Sequence, residues 1–132
     1  MQADFINKPL NDLVLTVFAA LEFVTLHPMQ VLKHPLADSR LSYVVKRVKH
    51  NPSQKKSEFI GVIIRDWKRV VGVGQIHKAE ELLQACPKLS RVLIISSMGF
   101  SYSAKRLADK VGIGLMSRGE LVSLLQKRVE VL

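Results

Sequence analysis

The chain has 132 residues, 48% of them hydrophobic, and 20 Lys and Arg stand against 11 Asp and Glu, a formal charge of +9. That apolar share excludes a disordered basic tail and suits one folded domain over residues 1–132 with a core of its own. The one Cys excludes a disulfide framework and a Cys-based zinc site. The apolar stretch from Leu13 to Ala20 is too short for a bilayer, and no signal-like segment opens the sequence, so a reducing, cytoplasmic setting is expected.

In chain order, Leu10, Leu13, Val14, Val17, Phe18 and Leu21 recur on one helical face. Asn7 or Asn11 is the candidate cap of that first helix. Met29 to Leu32, after His27-Pro28, reads as a short strand, and His34-Pro35 to Arg40 as a loop. Leu41 to Lys49 reads as a strand rich in β-formers. Asn51-Pro52-Ser53-Gln54 is turn chemistry. Glu58 to Lys68, apolar through Phe59, Ile60, Val62, Ile63 and Ile64, suits a central strand covered on both faces.

Gly72 and Gly74 then break the chain before a helix from about Gln75 to Cys86, stopped by Pro87. Val92 to Ser96 reads as a buried strand. Ser101 or Ser103 caps the next helix, with Ala104, Leu107, Ala108 and Val111 inward and Gly112 just beyond its end. Ile113 to Met116 is a brief strand. Ser117-Arg118-Gly119-Glu120 has capping-box form and opens a last helix carrying Leu121, Leu124, Leu125 and Val129. The expected order is α-β-β-β-α-β-α-β-α, an α/β fold with a central mixed sheet between helix layers.

The charge is uneven. Residues 1 to 32 sum to −2, residues 33 to 69 to +7 and residues 70 to 132 to +4. Concentration of one sign is the electrostatic footprint of a polyanion partner, with nucleic acid expected; an amphipathic basic helix, which would point to a membrane surface, is not formed. Lys46, Arg47, Lys49, Lys55 and Lys56 lie across the expected hairpin, and Arg69 follows the second strand, so these six are candidate phosphate contacts.

Asp66-Trp67-Lys68 closes the expected central strand. Alternation puts Asp66 and Lys68 on one face and Trp67 on the other. A carboxylate there suits Mg²⁺, and a lysine two residues on suits the handling of a water or of phosphate charge. By spacing alone an ordinary strand-end ion pair is the favoured reading.

The stretch Val62 to Arg69, with Gly72 to Gln75 and a helix behind it, resembles the PD-(D/E)XK nuclease superfamily, its Mrr-like restriction endonuclease branch first and archaeal Holliday-junction resolvases more distantly. Val92 to Ser97 with Gly99-Phe100-Ser101, and Ile113 to Leu115 with Ser117 to Leu121, are similar to the later strands and helices of that branch. The resemblance covers residues 41 to 132 well and the first 40 by element order. It implies a restriction-endonuclease-like α/β/α sandwich, double-stranded DNA as partner, a Mg²⁺ cofactor and a homodimer. It gives Asp66 the role of acidic ligand, Lys68 that of the motif lysine, and the Trp67 carbonyl that of a backbone ligand. Gln75 resembles the glutamine that some members place near the scissile phosphate. Ser42 stands where the family has an aspartate. Asp38, four residues earlier, and Glu22, resembling the helix glutamate of some relatives, are the weaker metal candidates.

Gly72-Val73-Gly74 lacks the third glycine of a dinucleotide site. His27, His34, His50 and His77 show no metal-ligand spacing, and Cys86, Trp67 and Phe100 read as core residues. Two readings remain, with opposite consequences. One is a DNA-binding protein that is a Mg²⁺-dependent endonuclease with an incomplete or atypical site and low metal affinity. The other is a catalytically inactive DNA-binding, scaffold or protein-interaction domain.

Overall fold

The computed structural model describes residues 7–47 and 58–131, with side chains to Lys127. Its elements are α1 (Leu10–Ala20), β1 (Phe23–Leu26), α2 (Pro28–Val31), α3 (Pro35–Arg40), β2 (Tyr43–Arg47), β3 (Phe59–Arg65), α4 (Val73–Ala85), β4 (Leu89–Ser96), α5 (Tyr102–Val111), β5 (Gly114–Ser117) and α6 (Arg118–Val131). The sheet runs β1-β2-β3-β4-β5, antiparallel from β1 to β3 and parallel from β3 to β5. The expected mixed sheet is therefore present, with β3 at its centre.

Alternation along the strands divides the core in two. Val44, Ile63 and Ile94 face one way and pack with Ile76, Ala79 and Leu82 of α4 and Ala104 and Ala108 of α5. Their neighbours Val45, Val62 and Ile95 face the other way and meet Leu13, Val14 and Val17 of α1 and Leu121 and Leu125 of α6. One sheet covered on both faces is an α/β/α sandwich. Gly61, on β3, lies under closely packed side chains: a Cβ there would stand 2.9 Å from a methyl of Leu41, which would have to shift.

The chain start differs from the expectation. The first strand is Phe23–Leu26, and Met29 to Leu32, expected as a strand, falls in the helix Pro28–Val31 and its C-cap Leu32. Its cause is local: His27 precedes a proline at the first helical position, and its Nδ1 accepts from the Met29 N–H at 3.2 Å. The same device recurs at His34-Pro35, where Nδ1 accepts from Leu36 N–H at 3.1 Å, so the expected loop is α3. Asn11 does not cap α1, which begins after Pro9 without a side-chain cap; its Oδ1 accepts from Tyr43 Oη at 2.8 Å. The later punctuation is as expected. Ser101 caps α5 through Ala104 N–H, Gly112 ends it with φ +80°, and Ser117 and Glu120 form the capping box of α6.

Candidate functional site

β3 ends at Arg65, level with Ser96 of β4, and β4 ends level with Ser117 of β5. Beyond this edge the chain makes two loops, residues 66–72 and 97–101. They are laced together: Ser97 N–H donates to the Arg65 carbonyl at 3.3 Å, Val71 N–H to Gly99 at 3.0 Å and Ser101 N–H to Val71 at 3.0 Å. Ser97 Oγ donates to the Trp67 carbonyl at 2.8 Å. At about 1 kcal/mol net for each bond, the pair of loops behaves as one platform.

Asp66, Lys68 and Arg69 are exposed on the first loop. The strand ends one residue before Asp66, so the expected strand-end motif is a loop motif. The Trp67 carbonyl, expected as a backbone ligand, is engaged by Ser97. The Trp67 ring packs on the α4 side of the core, as its core reading required, and so does Phe100.

Arg65 organises this side of the platform, and sequence reasoning did not single it out. Its Nε donates to Gln75 Oε1 at 2.9 Å and its Nη1 to the Ile64 carbonyl at 3.2 Å. Its guanidinium lies 5.4 Å from the centre of the Trp67 ring, and that of Arg69 lies 4.5 Å from the same centre. Burial pulls the Arg65 pKa down through desolvation. Among the described residues no carboxylate pairs with it. Gln75 is thus joined to Arg65 rather than to Asp66 or Lys68. The available signal was parity: Arg65 and Trp67, two apart, continue the face of Ile63.

Asp38 is exposed on α3, and Glu22 is exposed just past α1 with φ +66°. Among the described residues, no three His, Cys, Asp or Glu side chains lie together. Ser42 is at the end of β2 nearest this edge: its N–H donates to the Val62 carbonyl at 2.8 Å and its Oγ accepts from the Ile64 N–H at 3.2 Å. That hydroxyl completes the backbone pairing of β3 and brings no charge. Mg²⁺ is held by one or two carboxylates together with waters and substrate phosphates, and of the two motif positions only Asp66 supplies one, which makes this a sparse donor set for the ion.

The expected basic surface is also divided. β2 runs antiparallel to β3, so Lys46 and Arg47 lie at the start of β3, about 20 Å along the strand from Arg65. There they cover Phe59 and Phe23, at 6.0 and 5.4 Å from the ring centres. Lys49, Lys55 and Lys56, with the turn at residues 51–54 and His50, lie outside the described residues. Cys86 is buried at the end of α4, where desolvation raises its thiol pKa, in keeping with a core residue.

The Mrr_cat family model, described as restriction endonuclease, matches residues 8–125. The chain belongs to this family. No curated protein matches it in sequence. Among solved structures it is similar to the DNA modification-dependent restriction endonuclease AspBHI, with a TM-score of 0.51 and 9% identity, over 100% of this chain and 38% of that one. At that identity the likeness is one of fold, and it confirms the restriction-endonuclease-like sandwich. The chain spans less than half the length of AspBHI. Within the Mrr_cat frame, this chain has a cationic loop platform where its motif residues fall. Among the described residues no helix is long and apolar enough to cross a membrane.

Proposed function

We propose that this chain binds DNA through the platform at the end of β3 and β4, and that it does so without a metal centre of its own. The observation that carries this reading is the charge balance of the platform: Arg65, Lys68 and Arg69 stand against Asp66 alone, and the Arg65 guanidinium is fixed in place by Gln75. Guanidinium groups held in a defined orientation suit phosphate oxygens, which accept two donors at once. Membership in a restriction endonuclease family supports nucleic acid as the partner. Lys46, on the face of Phe59, and Arg47, on the face of Phe23, lie about 20 Å away at the start of β3 and are not part of this platform.

The same geometry argues against cleavage by this chain. Asp66 and Lys68 retain the spacing of the family motif, but Ser42 supplies a neutral hydroxyl already bonded to Ile64. The test is a pair of assays on the intact chain. Binding to labelled DNA is expected to weaken steeply with salt, by a slope of about 0.9 per phosphate contact, and to be unaffected by a chelator. Supercoiled and linear DNA are expected to survive incubation with Mg²⁺ or Mn²⁺. Binding that is absent, or insensitive to salt, would overturn the reading.

A further inference from the structure

The exposed large apolar side chains among the described residues are Val24, Met29, Val70, Val73, Met98 and Tyr102. Four of these six fall within two residues of a single contact, the bridge between Val71 and Phe100 that joins the two platform loops. Val70 and Val73 flank Val71, and Met98 and Tyr102 flank Phe100. Tyr102 is 74% exposed and Met98 56% exposed. The loops are tied by backbone hydrogen bonds at Val71, Gly99 and Ser101, so these four side chains ride on a fixed base. Cations border the same ridge: Lys68 and Arg69 on the first loop, and Lys105 and Arg106 on the first turns of α5, with Arg106 5.7 Å from the Tyr102 ring centre.

Contacts to duplex phosphates alone require no apolar ridge, and water is a poor environment for one. Surfaces for single strands combine a cationic track with side chains on which bases stack, and proteins that open duplexes insert apolar wedges between base steps. We infer that the Val70, Val73, Met98 and Tyr102 ridge receives unstacked bases, so that the preferred ligand is unpaired nucleic acid: a single strand, a gap or an opened step. The inference rests on the DNA-binding reading above and names its substrate class. A second copy of the chain is a poor occupant. A two-fold contact through this ridge would face Lys68, Arg69, Lys105 and Arg106 with their own counterparts, and like charges across an interface are unfavourable.

The experiment compares a single-stranded oligonucleotide, a gapped duplex with 2-aminopurine in the gap, and the intact duplex of the same sequence, at matched salt. Tighter binding of the single-stranded and gapped forms, with a change in 2-aminopurine fluorescence, is expected. Tyr102→Ala and Met98→Ala, on exposed side chains that leave the core intact, are each expected to weaken single-strand binding about fivefold or more, with the salt slope unchanged. Arg69→Ala is expected to weaken all three ligands and to lower the slope by about 0.7 on the single strand and about 0.9 on the duplex. Equal or tighter binding of intact duplex, with Tyr102→Ala and Met98→Ala indistinguishable from the parent, would overturn the inference and leave the DNA-binding reading standing. Failure of all three ligands to bind would overturn both. Concentration-dependent dimerisation removed by Tyr102→Ala would assign the ridge to a second copy and overturn the inference.

Discussion

Replacing Gln75 with glutamate separates binding from folding, because the two effects have opposite signs. Gln75 Oε1 accepts from Arg65 Nε at 2.9 Å, and no carboxylate among the described residues competes for that guanidinium. Arg65 is itself ionised, so the present bond is already charge-assisted; a carboxylate in the same place adds the attraction of an ion pair, up to about 1 kcal/mol at a partly exposed site. A net gain of up to about 1 kcal/mol is therefore expected, a rise of at most about 3–5 °C in Tm for a chain of this size. The new charge also cancels Arg65, one of three cations on the platform. DNA affinity is then expected to fall about tenfold, the worth of one charge-assisted contact, and the salt slope by about 0.9. Thermal unfolding and a salt series of binding isotherms read both quantities on one preparation. A variant that is more stable yet binds DNA with unchanged affinity and slope would refute the role given to Arg65.

Further expected outcomes follow from particular contacts. Ser42→Ala leaves the Ile64 N–H without its acceptor, which costs about 1–2 kcal/mol in denaturant unfolding and leaves DNA affinity unchanged. Gly61→Ala brings a Cβ to 2.9 Å from a Leu41 methyl, the movable end of a side chain, while the strand gains from losing a glycine, so a change of within about 1 kcal/mol is expected by the same measurement, and a much larger loss would show that Leu41 cannot shift. Cys86, buried with its thiol pKa raised, is expected to resist alkylation at neutral pH in the folded chain and to react at the ordinary rate in denaturant. Its thiolate fraction increases with pH, so alkylation before unfolding at neutral pH would contradict its placement.

The fold was legible where local chemistry and periodicity agree. The capping box at Ser117 and Glu120, the cap at Ser101 and the stop at Gly112 are all local signals, and all are realised. The central strand was legible because an apolar run covered on both faces has few alternatives. The start of the sheet is less legible, because in the sequence alone His27-Pro28 and His34-Pro35 read as breaks. Each is a start, with the imidazole as cap and proline at the first helical position, and Phe23–Leu26 supplies the strand. Membership in the family was legible from the order of elements around Asp66. The site was legible in part. Asp66, Lys68 and Arg69 share one loop and Gln75 lies close by, but the partner of Gln75 is Arg65, and side-chain pairing across a loop leaves no periodic trace. The regional charge sum misled in one respect. It joined Lys46 and Arg47 to Asp66 through sequence proximity, whereas an antiparallel strand pair sends them to opposite ends of β3.

The central claim is binding without a metal. The most direct measurement follows one labelled DNA substrate with the intact chain, in chelator and in Mg²⁺, reading affinity and cleavage together. The account predicts equal affinity in both conditions and intact DNA in Mg²⁺. DNA cleaved only when Mg²⁺ is present, and left whole by Asp66→Ala, would contradict it.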